Sequence, residues 1–249
     1  DLSNDKRIRL QGRIDRLDIY EEDNKLMVKV VDYKSGNTAF DLLSVYYGLQ
    51  LQLAIYLNAA MELLERENPG KEIIPAAVLY YNIDDPIVEK SDNVEASILS
   101  KLKMNGIVNS SKEVVRHLDH SFVSGDGGIM PAVKSDIIPV ASNKEGYFTK
   151  NSSVAEFSQL KSMEDFVKNT VSQFGRKILD GDTGIRPYQM GKSNACKYCP
   201  YSSICGFDLK LEGNKYRNLH TLSKEDIWTK MTERRDDNGN EIEIDIKMS

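Results

Sequence analysis

The feature that most constrains this chain is a pair of short polar motifs set in two stretches that look like neighbouring β-strands. Residues 6–20 and 25–33 are rich in Ile, Leu, Val and Tyr, and four polar residues, 21–24, separate them. This pattern predicts an antiparallel hairpin with a four-residue loop. The first strand carries Gly-Arg-Ile-Asp-Arg at 12–16, and the second leads into Val-Asp-Tyr-Lys-Ser-Gly at 31–36. Two carboxylates and one lysine should therefore lie on adjacent strands.

The hairpin brings Asp15 close to Asp32. If the strands pair outwards from Tyr20 and Lys25, position 13 falls opposite position 32. Asp15 is then a diagonal neighbour of Asp32, about 7–8 Å away, and a register shift of two residues would set them directly opposite. Both carboxylates then reach one divalent ion, Mg²⁺ or Mn²⁺, which favours oxygen ligands. The apolar positions change from even to odd numbers near Arg16, which predicts a bend or bulge there.

Lys34 follows Asp32 by two residues, so the two side chains share one face of the strand. The side chain of Tyr33 points to the other face, so its backbone carbonyl oxygen is free to act as a further metal ligand. Two carboxylates, this carbonyl and a lysine are what metal-dependent cleavage of a phosphodiester needs. The alternative is an ordinary charged strand, with Asp15 paired to the flanking arginines and Lys34 in a solvated turn.

Apolar residues at helical spacing predict one helix over 44–67, and Gln52 and Tyr56 stand four residues apart on one of its faces. In one interpretation they are a buried glutamine bonded to backbone and a core tyrosine. In the other, both point into the cleft and position phosphate or water. Further along, 74–83 predicts a buried strand and 162–179 an amphipathic helix.

All three cysteines lie within ten residues in the spacing Cys-x₂-Cys-x₅-Cys, at Cys196, Cys199 and Cys205. This spacing is typical of metal ligands, and the odd number argues against a disulfide framework. The thiolates suit an iron–sulfur cluster that takes a fourth ligand from elsewhere. They also suit Zn²⁺ bound together with His220, the only histidine downstream.

The sequence shows no signal peptide and no apolar run of about 18 residues, so we expect a cytoplasmic protein without membrane association. The net charge of −5 does not indicate a nucleic-acid-binding protein and predicts modest intrinsic DNA affinity.

Taken together, the motifs G-x-I-D-R, V-D-Y-K-S-G and Q-x-x-x-Y resemble those of the PD-(D/E)XK nucleases. The resemblance is closest to the nuclease domains of RecB and to the C-terminal nuclease domain of the B subunit in AddAB-type helicase–nucleases. It implies an α/β, restriction-endonuclease-like fold, with a mixed central sheet flanked by helices. On this basis 1–249 is a single nuclease domain, with a core at 6–84 and 153–206, an insertion at 85–152 and a C-terminal extension at 207–249.

Carried over residue by residue, the resemblance implies that Asp15 and Asp32 bind metal and that Lys34 is the catalytic lysine. Gln52 and Tyr56 match the Q-x-x-x-Y motif. The three cysteines match a C-terminal triplet that, with a fourth cysteine far upstream, holds a [4Fe–4S] cluster in the family. That fourth cysteine and an N-terminal histidine of the family are absent here, and the chain starts without Met, so we expect a fragment of a larger protein.

The resemblance implies a Mg²⁺-dependent exonuclease or endonuclease domain that cuts single-stranded DNA in double-strand-break repair and recombination, beside an AddA-like partner subunit. A second hypothesis is a catalytically incompetent nuclease-fold module that binds DNA or a partner through its cluster. A third is a stand-alone nuclease of the Cas4-like or restriction type. The intact carboxylates and lysine favour the first hypothesis over the second, and the missing start argues against the third.

Overall fold

The structure is a computed structural model that describes residues 8–83, 94–233 and 244–248. The strands in these ranges are β1 (Leu10–Ile14), β2 (Arg16–Glu22), β3 (Lys25–Lys34), β4 (Glu72–Asn82), β5 (Asn105–Asn109), β6 (Val154–Ala155), β7 (Tyr188–Met190), β8 (Ser193–Asn194), β9 (Arg217–Asn218) and β10 (Ile244–Met248). The α-helices are α1 (Leu42–Tyr46), α2 (Gln52–Glu67), α3 (Val94–Leu102), α4 (Lys112–Leu118), α5 (Phe157–Leu179), α6 (Ser202–Cys205) and α7 (Lys224–Glu233).

The central sheet has the strand order β2-β3-β4-β5-β6 and is mixed. Strand β3 runs antiparallel to β2 and parallel to β4, while β5 is antiparallel to β4 and parallel to β6. The expected α/β fold with a mixed central sheet and flanking helices is confirmed. Strand β5 lies within 85–152 and is not predicted from the sequence pattern.

Strand β3 buries both of its faces, because its side chains alternate between two hydrophobic layers. Val28 and Val30 belong to the layer formed with α2 and α5, whereas Val31 belongs to the layer on the opposite face. Asp32 and Lys34 continue the even-numbered series, so they lie on the α2 side of the sheet. The two helices fill that layer with a row of buried residues: Leu53, Leu57, Leu160, Met163 and Val167.

Strands β2 and β3 form the predicted hairpin, but the predicted register is wrong by two residues. Pairing starts from Glu22 with Lys25, so the loop is the two-residue turn Asp23–Asn24 instead of four residues. The first residue of this turn has a φ of 51°, as tight hairpin turns require. The last pair of the ladder is Arg16 with Val31, and one further step sets position 15 opposite position 32.

The single helix predicted over 44–67 is instead two helices, α1 and α2, because the chain turns at Gly48. Gly48 has a φ of 76°, the left-handed conformation that often ends a helix, and a Cβ there would lie only 2.9 Å from Cζ of Phe174. Helix α2 therefore begins at Gln52, beside the end of β3.

The remaining predicted elements are present. The buried strand over 74–83 is β4, and the amphipathic helix over 162–179 is α5, which begins earlier, at Phe157. Strand β10 pairs in parallel with β1, and β7, β8 and β9 form a small sheet. In the part of the chain that the structure describes, no helix combines the length and apolar character that crossing a membrane requires.

Candidate active site

Asp15 lies at a bend between β1 and β2, where the chain passes from one sheet into another. This is one residue before Arg16, where the change in apolar parity predicts a bend. The carboxylate is exposed, and its Oδ2 accepts a hydrogen bond of 3.0 Å from the backbone N–H of Tyr33. The bond ties Asp15 to the residue that follows Asp32.

Asp32 is buried on the α2 side of β3, with 2% of its surface exposed. Its Oδ2 accepts no hydrogen bond from the residues that the structure describes. Nζ of Lys34 lies 2.6 Å from this oxygen and forms an ion pair with it, without the angle of a hydrogen bond. A buried carboxylate oxygen without a hydrogen bond is costly unless positive charge compensates it. The position therefore suits a cation.

The ammonium of Lys34 is also bonded to the start of α2. Its Nζ donates to Oε1 of Gln52 at 2.7 Å, and Nε2 of Gln52 donates to the hydroxyl of Tyr56 at 3.0 Å. Gln52 is exposed, so it is not the buried, backbone-bonded glutamine of the first interpretation. The structure thus brings the lysine and the Q-x-x-x-Y pair together at one end of the sheet.

Gly12, the first residue of the G-x-I-D-R motif, lies against the ring of Tyr56. A Cβ at position 12 would come within 3.2 Å of Cε1 and 3.6 Å of the hydroxyl oxygen of Tyr56. The absence of a side chain therefore lets β1 approach α2 closely. This contact connects the first motif to the same hydrogen-bonded row as Lys34.

Three carboxamide side chains, from Asn82, Asn105 and Gln50, hold the loop 35–41 that follows Lys34. Asn82 bonds both the N–H and the C=O of residue 38. Asn105 bonds the C=O of residue 38 and the N–H of residue 40. Gln50 bonds the N–H of residue 41 and the C=O of residue 39. These side chains thus satisfy backbone N–H and C=O groups of the irregular loop beside the site and fix its path.

Tyr33 presents its side chain to the opposite face of the sheet, as predicted, and meets Tyr81 edge to face with the ring centroids 5.8 Å apart. Arg16 donates a hydrogen bond from Nε to Oδ1 of Asp18 at 2.8 Å. This bond, and one with Tyr33, raise the pKa of Arg16. Arg16 therefore pairs with Asp18. In the alternative of an ordinary charged strand, it would pair with Asp15.

Tyr80 belongs to the site although the sequence does not indicate it. The residue is buried in β4 directly opposite Asp32, and Lys34 lies over its ring. Burial, followed by the negative charge of Asp32, raises the pKa of Tyr80 to about 12. A tyrosine within an apolar run looks like a core residue, and only the register of β3 on β4 could have identified it.

The residues fit a divalent metal ion that is bound partly by water and substrate. Over the described ranges, no three His, Cys, Asp or Glu side chains are grouped so that they could hold a metal ion. The chain instead offers the two carboxylates of Asp15 and Asp32, and Mg²⁺ is commonly bound through one or two carboxylates, waters and substrate phosphates. The buried Oδ2 of Asp32, which forms an ion pair with Lys34 but accepts no hydrogen bond from the described residues, is the observation that fits such an ion.

The three cysteines are partly buried and free. The thiol of Cys196 is hydrogen-bonded to the hydroxyl of Tyr216, and this bond raises the pKa of Tyr216. Neither the three thiols nor the thiols with His220 are gathered as a metal site in the described structure. Their soft donor atoms suit an iron–sulfur cluster or zinc, whereas their present arrangement does not form a ligand set.

Comparison with known proteins gives a consistent result. A family model described as the PD-(D/E)XK nuclease superfamily matches residues 1–206. The chain is also similar to bacterial proteins named as the B subunit of an ATP-dependent helicase/deoxyribonuclease. The one from Lachnoclostridium phytofermentans is 53% identical over 224 residues, which is 90% of this chain and 20% of that protein.

Two further relatives with the same name come from other bacteria. The protein of Thermoanaerobacter sp. is 37% identical over 247 residues, covering 97% of this chain and 20% of that protein. The protein of Clostridium botulinum is 39% identical over 228 residues, covering 89% of this chain and 19% of that protein. The chain thus spans about a fifth of the length of these curated relatives.

Proposed function

Because the chain belongs to the PD-(D/E)XK nuclease superfamily, we propose that it hydrolyses phosphodiester bonds of DNA with the help of Mg²⁺ or Mn²⁺. The substrate is single-stranded DNA, as the resemblance of the motifs implies. The domain works in the cytoplasm as part of a helicase–nuclease with an AddA-like partner subunit, in double-strand-break repair and recombination. The name shared by the relatives, which are B subunits of an ATP-dependent helicase/deoxyribonuclease, supports this assignment.

Asp15 and Asp32 would hold the metal ion, together with the carbonyl oxygen of Tyr33. The ion would supply positive charge to the phosphoryl group and would lower the pKa of the attacking water. Asp15 is oriented for this task by the N–H of Tyr33, and Asp32 is oriented by its place in the buried strand. The metal site therefore depends on the contact between β3 and the bend after β1.

Lys34 positions the attacking water and stabilises the charge that develops on the phosphoryl group. Its ammonium is held between Oδ2 of Asp32 and Oε1 of Gln52, so its direction is set before the substrate binds. Tyr56 in turn fixes Gln52 through its hydroxyl. A group oriented in advance costs no reorganisation during the reaction, which is the main source of electrostatic catalysis.

The single observation that carries the proposal is the Oδ2 atom of Asp32. It is buried, it has no hydrogen-bond partner among the described residues, and it lies 2.6 Å from the ammonium of Lys34. A carboxylate that only stabilised the fold would gain from hydrogen bonds that complete its shell. The Oδ2 atom of Asp32 instead has the ammonium of Lys34 beside it and no hydrogen bond, so a second cation would add to the charge that compensates it.

The test is cleavage of single-stranded DNA by the whole helicase–nuclease that contains this chain, with Mg²⁺, in the variant Asp32→Ala. We expect cleavage to be abolished while helicase activity remains. The matched control is Asp18→Ala, which removes a β2 carboxylate paired with Arg16 and Lys29. It should cleave normally. Undiminished cleavage by Asp32→Ala would contradict the proposal and favour the module that binds DNA or a partner without cutting.

The cysteines belong to a second part of the proposal. In the whole protein, Cys196, Cys199 and Cys205 bind a [4Fe–4S] cluster whose fourth ligand comes from outside this sequence, which contains three cysteines. Support comes from the Cys-x₂-Cys-x₅-Cys spacing and from the soft thiolate donors. No step of the proposed hydrolysis passes through the cluster.

A further inference from the structure

Lys34 has a third neighbour besides Asp32 and Gln52. Its Nζ lies over the ring of Tyr80, 5.4 Å from the ring centroid. In the parallel pair of β3 and β4, Tyr80 is the direct partner of Asp32, so its side chain shares the face of Lys34, two residues further along. Tyr80 is 2% exposed, and the ring is therefore fixed by the core around it.

This geometry is that of a cation–π contact, in which a cation is attracted to the negative face of an aromatic ring within about 6 Å of its centroid. A tyrosine phenol is neutral at physiological pH, so the ring offers Lys34 its π-face and no net charge. Because water is excluded from the ring, the contact is stronger than it would be at the surface.

The ring of Tyr80 would contribute most to the position of Lys34 when the carboxylate of Asp32 binds a metal ion. The ion pair between Asp32 and Lys34 would then weaken, and the divalent charge would repel the ammonium. Gln52 and Tyr80 are neutral, so their attraction for Lys34 persists. A lysine has four rotatable side-chain bonds, and two neutral anchors from different elements restrict it to one direction.

We propose that Tyr80 is a positioning residue whose ring face holds the ammonium of Lys34 toward the scissile phosphate while Asp32 is engaged by metal. The inference rests on the proposed function, because it assigns Lys34 a role in hydrolysis. It concerns the ring, and the hydroxyl of Tyr80 has no part in it.

The test varies the ring's electrostatic potential at nearly constant shape. In the whole helicase–nuclease, position 80 is changed from Tyr to Phe, then to singly, doubly and triply fluorinated phenylalanine, and the kcat and KM for single-stranded DNA are measured. Tyr80→Phe should stay within about twofold of the natural enzyme. Each fluorine weakens the π-face, so kcat should fall stepwise by about 2- to 30-fold in total, with KM unchanged.

A matched control applies the same fluorination at Phe122. This residue is fully buried on the opposite face of the sheet, so it tests the effect of fluorine on a core ring. Its kcat should not change along the series. A kcat that stays constant along the fluorinated series at position 80 would overturn the proposal. A Tyr80→Phe variant with a kcat as low as that of the triply fluorinated variant would also overturn it, because the loss would then come from the hydroxyl.

A second measurement does not depend on activity. Acylation of lysines at one fixed pH, without metal, is followed by mass spectrometry in the Phe and trifluorophenylalanine variants at position 80. Lys34 should react faster when the ring is fluorinated, whereas Lys29, on the same strand and paired with Asp18, should not change. Equal rates for Lys34 would overturn the contact. If the natural enzyme and all variants lacked cleavage, the proposed function would fail. The acylation rates would still show whether the ring of Tyr80 contacts the ammonium of Lys34.

Discussion

Lys34 illustrates how much a single side chain in this protein depends on its neighbours. Its ammonium meets a carboxylate from its own strand, an amide from α2 and a ring from β4. The pairing with Asp32 could be predicted, because residues two apart on a strand share a face. The burial of Asp32 and the ring of Tyr80 could not be predicted, because both depend on the register between strands that are distant in sequence.

Replacing Lys34 with Ala should lower the rate of DNA cleavage by about 10²–10³, the usual effect of losing one oriented electrostatic contact. Single-turnover cleavage by the whole protein measures this rate. The matched control is Lys29→Ala, on the same strand but paired with Asp18 away from the site. If Lys34→Ala cleaved DNA as fast as that control, Lys34 would be a surface charge without a role in hydrolysis.

A side chain at Gly12 should disturb Tyr56, because the tyrosine ring lies close to this position. In Gly12→Ala the new Cβ would lie 3.2 Å from Cε1 of Tyr56, so the ring would have to move by a few tenths of an ångström, and its hydroxyl would move relative to Gln52. We expect cleavage to slow by several-fold, and about 1 kcal/mol or more of stability to be lost. Gly125→Ala, at a position with no heavy atom within 4 Å of the new Cβ, should change neither the rate nor the unfolding temperature. Equal behaviour of the two variants would contradict the role of Gly12.

At the scale of secondary-structure elements, the hairpin and the helix after it could be predicted from the sequence, but their register and boundaries could not. The four polar residues at 21–24 predict a loop, but the pattern does not show that the ladder continues to Glu22 and Lys25. The apolar spacing across 44–67 is continuous, so only the left-handed conformation at Gly48 divides it into two helices. Strand β5 is short and flanked by helices, and its five residues carry little alternation.

Helix α5 carries a buried carboxylate that makes stability depend on pH. Glu164 is 3% exposed, its Oε1 has no partner among the described residues, and Lys161 lies 2.9 Å from Oε2. Burial raises the pKa of Glu164 above its ordinary value of 4.5, although Lys161 opposes the shift. As the pH rises above 4.5, the unfolded chain releases this proton first, so the folded state loses stability.

Glu164→Gln removes this titration and should raise the unfolding temperature at neutral pH relative to the natural protein. The gain should shrink as the pH falls and disappear below 4.5, where the unfolded and folded states both hold the proton. Thermal unfolding followed across this range measures it. Glu62→Gln, on the neighbouring α2 and paired with Lys168, is the control and should show no such gain. A Glu164→Gln variant without a pH-dependent gain would contradict the account.

At the scale of the whole molecule, the chain has the mixed sheet and clustered motifs of a nuclease but spans only about a fifth of its relatives. Cys196, Cys199 and Cys205 follow α5 in a segment of short strands and turns, where few buried apolar residues hold the chain. The spacing of the cysteines could be recognised from sequence. A fourth ligand could not be chosen from sequence, because the three cysteines are the only ones in this sequence and His220 is the only histidine downstream of them.

The whole protein, purified without oxygen, should therefore show a broad brown absorbance and contain iron and sulfide in equal amounts. Cys199→Ser should remove both signals and increase proteolysis of the region around 190–210, because the thiolates no longer fix it. The control Ser202→Ala, in the same segment, should keep the cluster. One tightly bound zinc without iron would contradict the cluster and favour the site formed with His220.

The central claim is that Asp15 and Asp32 together bind one divalent ion, and Mn²⁺ titration followed by electron paramagnetic resonance tests it most directly. In the whole protein, Asp15→Asn and Asp32→Asn should each bind one equivalent of Mn²⁺ less than the natural protein. Asp18→Asn, whose carboxylate is paired with Arg16 and Lys29, should bind the same number as the natural protein. Unchanged Mn²⁺ binding in both Asp15→Asn and Asp32→Asn would contradict the metal site and, with it, the proposed hydrolysis.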